Sequence, residues 1–333
     1  MRGESRASRL RILWITPAPR AFATASEIGY GQGEFNPPGD PMTEILQSLD
    51  GHAAGYRVYY CDLWGCLHNG EAPFPAAVRA LSAFRAKGGR VVLLTNSPRP
   101  ERDVVRQLDG MGVPRDCWDL VVSSGDAAQD AMAAGMVGRR VHHIGPERDM
   151  GFFARADGTP IDVERVPLED AEGIVCTGLF DDLTETPDDY RATILYGKTK
   201  GLKLLCANPD IVVDMGDRRV YCAGALAAAY SEAGGTSLYF GKPHPPIYAL
   251  ARSRLAAELD VVPEHDEILC VGDGIMTDIS GAMGENLDGV FITGGLAAEI
   301  TKTTPDSGPD PDRLRAFLAG AALSPKWAMG YLR

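Results

Sequence analysis

No stretch of the 333 residues approaches the roughly 18 consecutive apolar residues that a membrane-spanning helix requires, so no membrane partner is expected. The seven cysteines (Cys61, Cys66, Cys117, Cys176, Cys206, Cys222 and Cys270) form no CxxC pair and no metal-finger spacing. Several lie in apolar, strand-like runs, where a thiol behaves as a small hydrophobe; the expectation is reduced core cysteines in a cytoplasmic protein. Positive charge is also scarce. Lys and Arg total 33 against 45 Asp and Glu, a formal net charge of -12, and that balance lacks the basic face that nucleic-acid phosphates demand. An acidic chain can still hold a small phosphorylated molecule where a metal ion and a few local cations offset the charge. No repeat of solenoid period is visible. The remaining composition, 45% apolar and 23% charged, is that of an ordinary globular protein long enough for two domains.

Residues 1–41 differ from the rest. Arg2, Arg6, Arg9 and Arg11 precede a short apolar patch, Ile12 to Ile15, which Pro17 and Pro19 interrupt, so an uninterrupted secretory h-region is missing. Glycine and proline then dominate Gly29 to Pro41, the composition of an unpacked linker. A disordered extension is expected over 1–41, with the folded part beginning near Met42.

From Arg57 onward, short β-branched or apolar runs alternate with helical segments, the signature of a parallel sheet with crossover helices. Core strands are expected at Val58–Cys61, Val91–Leu94, Leu120–Ser123, Leu238–Phe240, Ile268–Val271 and Val290–Ile292. Between Ser124 and Lys242 the chain has its own alternation, and a single crossover of that length far exceeds the usual loop of about 4–6 residues. An inserted α/β domain at 138–236 follows, within a core made of 42–137 and 237–333.

Chemistry-bearing residues fall at the ends of the expected core strands. Asp62 follows Val58–Cys61, at the place where open parallel sheets put their ligands, and can supply a nucleophilic carboxylate to phosphorus. Mg²⁺ prefers hard oxygen ligands, which Asp62, the backbone carbonyl of Trp64 and Asp273 can provide; Asp278 can hold a coordinated water. Lys242 offers positive charge to the phosphoryl oxygens and the nucleophile. Thr95 offers a hydroxyl, and the amides of Asn96 and Ser97 can donate beside it. Asn208 and Asp210 can reach over the site from the inserted domain, although an Asn-Pro-Asp turn has a purely local reading too. The pair His142-His143 lacks a third ligand at metal-site spacing and is read as an edge-strand or solvated pair.

Asp62-Leu63-Trp64-Gly65 with Leu67-His68-Asn69-Gly70, Leu94-Thr95-Asn96-Ser97, Gly241-Lys242-Pro243 and Gly272-Asp273-Gly274 with Thr277-Asp278 together resemble the four motifs of the haloacid dehalogenase superfamily. The inserted segment, with Cys206 to Asp210, Ala223 to Leu226, and Gly178 to Asp182, resembles the C2 cap of its class IIA branch, which contains 4-nitrophenylphosphatase-like and sugar-phosphate phosphatases. The resemblance covers about residues 43–325. It implies a doubly wound, Rossmann-like parallel sheet carrying a C2 cap, Mg²⁺ as cofactor, and a small phosphorylated metabolite as substrate. It further implies an aspartyl-phosphate at Asp62, Thr95 and Lys242 as phosphate binders, and Asp273 and Asp278 as metal carboxylates. Caps of this branch often mediate dimers, so a homodimer through the cap is an expectation.

One position departs from that pattern. Two residues after the nucleophile the phosphatases carry a second Asp, the general acid for the leaving oxygen, and this chain carries Trp64. An indole cannot titrate, although a metal contact through its backbone survives. Three readings follow: a slow phosphatase, an enzyme favouring good leaving groups, or a phosphometabolite-binding protein without turnover. His68 is a substitute acid on paper, but as a loop residue it is read as structural. A carbon–halogen hydrolase fits less well, since that chemistry does not need the metal carboxylates.

Overall fold

Val58, Tyr59, Tyr60 and Cys61 are built mostly of apolar surface and all four are buried, so the strand they form is covered on both faces. The computed structural model of the chain describes residues 43–52, 54–215 and 218–333, and the extension expected over 1–41 lies outside them. In chain order the strands are β1 (Glu44–Ile45), β2 (Val58–Cys61), β3 (Arg90–Thr95), β4 (Leu120–Ser123), β5 (Arg140–Ile144), β6 (Glu164–Arg165), β7 (Gly173–Cys176), β8 (Lys203–Cys206), β9 (Val212–Met215), β10 (Arg218–Tyr221), β11 (Thr236–Tyr239), β12 (Ile268–Gly272), β13 (Asp288–Ile292) and β14 (Trp327–Met329). Two parallel sheets result. The larger has seven strands in the order β1-β14-β13-β12-β2-β3-β4, and the smaller has five in the order β11-β8-β7-β5-β6. A separate antiparallel hairpin, β9 with β10, completes the described strands.

The period of two along each strand sorts side chains between the faces. Tyr59, Cys61, Leu93, Leu269 and Val271 pack on one side with Ala77, Leu81 and Phe84 of the helix Pro75–Ala86. Val58, Tyr60, Leu94, Ile268 and Cys270 face the other side, against Ile247, Tyr248, Ala251 and Leu255 of the helix Pro245–Leu259. The connection leaving β2 therefore runs over one face towards β3, whereas the one leaving β12 runs towards β13 on the opposite side, with Ala282 packed on the second face. Strand order reverses between β2 and β12. Such a switch point opens a crevice beyond the carboxyl ends of the two strands.

The smaller sheet is doubly wound as well. Ile174, Cys176, Leu204 and Cys206 face Ala223, Leu226 and Tyr230 on one side, while Val141, Val175 and Leu205 face Phe152 on the other. That second face also receives Ala127, Ala128, Ala131 and Met132 from the helix Ser124–Ala133, which directly follows β4 of the larger sheet. A reciprocal capping box between Ser123 and Asp126 starts that helix. Both sheets belong to one compact unit, Pro41–Arg333.

One strand lies elsewhere than expected. Leu238 and Tyr239 pair with Leu205 and Cys206, so β11 is the edge of the smaller sheet and not a member of the larger one. Alternation identifies a strand but carries no information on its partner, and an edge strand looks alike in either sheet. Beyond β13 the larger sheet is extended by β14 and then by the short β1, which pairs Glu44 and Ile45 with Trp327 and Ala328 of β14. Among the described residues no helix is long and apolar enough to cross a membrane.

Candidate active site

Asp62 and Asp273 emerge side by side at the switch point, because Cys61 is in register with Val271 and the Asp62 N–H donates to the Val271 carbonyl at 2.8 Å. Both carboxylates are buried, as is Asp278. The Lys242 ammonium lies between them: Nζ donates to Asp62 Oδ1 at 2.6 Å, to Asp278 Oδ1 at 2.7 Å and to the Leu94 carbonyl at 2.8 Å. All three protons of the ammonium are thereby engaged. Because β11 belongs to the smaller sheet, Lys242 arrives from that sheet and not from a strand end of the larger one.

Glycines make room for this density of charge. Gly65 adopts φ +72, and a Cβ at Gly65 or at Gly295 would overlap the Asp273 carboxylate. Asp273 Oδ2 also accepts the Leu296 N–H at 3.1 Å. Asp278 is folded back over Gly272 by the π-helical turn Ile275–Ile279, and its Oδ2 accepts the Gly274 N–H at 3.0 Å. Burial, followed by the charge of Asp62, raises the proton affinity of both Asp273 and Asp278. Three buried carboxylates share one ammonium, a balance that favours a further cation.

Asn96 ties the layers together. Its Oδ1 accepts the Lys242 N–H at 2.7 Å, while Nδ2 donates to the Lys242 carbonyl at 3.0 Å and to Asp210 Oδ1 at 2.8 Å. Every polar atom of this side chain is used, so only its backbone N–H remains for a substrate. Asn96→Ala should leave the buried Lys242 peptide unpaired, lowering stability by about 1–3 kcal/mol and loosening the ammonium; thermal unfolding checks it. Thr95 is buried at the end of β3, where its hydroxyl accepts the Ser97 N–H at 3.2 Å. Asn208 supports from behind, its Oδ1 accepting the Asp210 N–H at 3.0 Å.

The cleft above these groups is about 240 Å³ and is lined by Trp64, Phe74, Asp210, Val212, Asp273 and Leu296, among others. Trp64 is half-buried; its ring meets His68 edge-on at 5.3 Å and covers Gly70, where a Cβ would strike the indole. His68 itself is enclosed. Burial pushes its pKa down to about 4, and its Nδ1 accepts the Gly70 N–H at 3.0 Å, which fixes a neutral imidazole in a structural role. In contrast, burial lifts the Asp210 carboxyl to about 6.

Cys66 was not foreseen here. Ligand atoms of Asp62, Cys66 and Asp273 lie within 4.8 Å of one another, and the thiol is held well above its ordinary pKa by burial and by Asp273. Its only sequence signal is its place in the loop after Asp62, which looks like another small core residue. His142 and His143 lie on β5, which pairs on both sides, with β6 and with β7, so the pair is half-buried on an interior strand of the smaller sheet and not on the expected edge.

Comparison with known proteins agrees with this arrangement. Residues 59–158 match the haloacid dehalogenase-like hydrolase family and residues 239–313 match a second, HAD-hydrolase-like family. A solved haloacid dehalogenase-like hydrolase from Brucella suis 1330 is 40% identical, with TM-score 0.75, covering 87% of this chain and all (100%) of that one. The ribonucleotide monophosphatase NagD of Escherichia coli K12 is 26% identical over 72% of this chain and 88% of its own length. A glycerol phosphate phosphatase from Mycobacterium tuberculosis, solved with magnesium, is 25% identical with TM-score 0.56, over 76% of this chain and 73% of that one. With the sheet order, the switch-point carboxylates and these likenesses in agreement, the chain belongs to the haloacid dehalogenase-like hydrolase family, in its class IIA branch of phosphoric monoester hydrolases.

Proposed function

We propose that this chain is a phosphatase for a small phosphorylated metabolite, acting through an aspartyl-phosphate at Asp62 with Mg²⁺ as cofactor. The observation that carries the reading is the Lys242 ammonium held between Asp62 and Asp278 at the switch point, beside Asp273. A binding protein needs no nucleophile aimed into a crevice and braced by a buried cation. In the reaction an Asp62 oxygen attacks phosphorus, the bond to the ester oxygen breaks, and that oxygen leaves with the electron pair. Water then attacks the acyl phosphate, releasing inorganic phosphate and restoring the carboxylate. Lys242 offsets charge on the attacking and transferring oxygens, while the Thr95 hydroxyl and the Asn96 N–H hold the phosphoryl group.

The donor set fits a hard divalent ion. Asp62 and Asp273, whose ligand atoms lie within 4.8 Å of one another, would supply oxygen ligands together with the Trp64 carbonyl, and Asp278 would hold a coordinated water. Cys66 stays protonated beside them and is a poor partner for Mg²⁺. When bound, the ion neutralises charge on the transferring phosphoryl group. The mycobacterial glycerol phosphate phosphatase, solved with magnesium and also with calcium, supports a divalent metal here. Asp273→Ala should weaken Mg²⁺ binding by at least about tenfold in a calorimetric titration. An identical titration would mean the coordination is misassigned.

The module around the smaller sheet acts in this reading as the cap, bringing Asp210 and Val212 over the cleft. A cytoplasmic enzyme that dimerises through this cap is part of the same proposal, and it rests on the resemblance to the class IIA branch alone. The direct test is Mg²⁺-dependent release of phosphate from an aryl phosphate by the full chain; halide release from a haloacid in its place would overturn the reading.

A further inference from the structure

The smaller sheet repeats, in miniature, the topology that creates the active site in the larger one. β5 lies between β6 and β7; its own connection leads to β6, whereas the connection from β7 leads the other way, to β8. The two connections also cover opposite faces. Phe152, between β5 and β6, packs on one face, and Ile194, between β7 and β8, packs on the other. A second switch point therefore lies at the carboxyl ends of β5 and β7.

A cleft of about 500 Å³ opens there, lined among others by His142, His143, Pro146, Arg165, Pro167 and Phe180. That volume is within the usual range of about 300–1,000 Å³ for a small-molecule site. Its floor is tightly built: His143 Nε2 meets the Thr177 hydroxyl at 3.0 Å, and a Cβ at Gly145 would overlap both groups. Its walls are flat, made from imidazole rings, prolines and a Phe180 ring that is 51% exposed. Arg165 is the cation of the cleft. It leans over the Phe153 ring at 5.3 Å and touches the Met150 sulfur, and among the described residues no carboxylate lies within ion-pair distance of it. The carboxylate in the lining, Glu147, is exposed.

We infer that this cleft is a second ligand site, which takes a small molecule combining a flat aromatic ring with one anionic group, such as a nucleoside monophosphate. The ring lies against Phe180 and the imidazoles, and the anion pairs with Arg165, whose guanidinium is shaped for phosphate. The site stands independently of turnover at Asp62.

The test uses histidine imidazole resonances of the full chain, assigned by single substitutions, during titration with AMP. His142 and His143 report this cleft and His68 reports the catalytic one. Saturable shifts of His142 and His143 are expected, with Arg165→Ala raising the apparent Kd about tenfold or more, while adenosine and inorganic phosphate each bind more weakly than AMP. Arg165 is exposed, so the variant should fold normally, and its melting temperature verifies that. The inference fails if these two resonances stay still at millimolar AMP, if only His68 moves, if Arg165→Ala titrates like the parent, or if phosphate or adenosine alone matches AMP.

Discussion

Asp62→Asn is expected to cut phosphate release from an aryl phosphate by at least about 10³-fold while leaving the protein folded, because the change removes the nucleophile and almost nothing else. The amide is nearly isosteric with the carboxylate. Lys242 keeps its bonds to Asp278 and to the Leu94 carbonyl, so no buried charge is orphaned. Asp62 is also a source of repulsion for both Asp273 and Asp278. Neutralising it relieves a strained cluster, so the metal-free variant should melt at the parent temperature or above it, the behaviour expected where stability has been given up for function. Phosphate release and thermal unfolding, measured together, decide the matter. A folded Asp62→Asn protein with unaltered turnover would refute the covalent mechanism.

The parts of this site that were legible in the sequence are those governed by local rules. A carboxylate after an all-apolar strand marks a crevice, and glycine beside it marks close approach, so Asp62 and Asp273 could be placed before any coordinates. The expected strands at Val58–Cys61, Leu120–Ser123 and Ile268–Val271 appear at those positions in the larger sheet. What was hidden depends on pairing between distant segments. The partner of β11, the clamp of Asn96 on the Lys242 peptide, and the approach of Cys66 to Asp273 join residues that no periodicity relates. Asn96 illustrates the difference. Its position after a strand suggests an amide donor to phosphate, a role still open to its backbone N–H, whereas the three bonds its side chain makes are all internal.

Trp64 should make the rate depend steeply on the leaving group. No titratable side chain occupies the position after Leu63, and His68, the nearby alternative, is neutral at physiological pH with Nδ1 already accepting a hydrogen bond. An alkoxide must then depart without a proton, whereas a phenoxide or carboxylate is stable enough to leave unaided. General acid help is worth typically about 10²–10⁴-fold, so aryl and acyl phosphates should be cleaved at least about 10²-fold faster than sugar phosphates. Trp64→Asp should raise turnover of the sugar phosphates selectively. The gain is expected to be modest, because a new carboxylate beside Asp62 and Asp273 adds repulsion, and because the indole now packed over Gly70 would be lost. Melting temperature separates that packing loss from a catalytic effect. Equal rates on both substrate classes in the parent protein would mean that another group already donates the proton. Asp210 would then be the donor to examine, since it lines the same cleft as Trp64 and its carboxyl is lifted to about 6, and Asp210→Asn should restore the steep dependence.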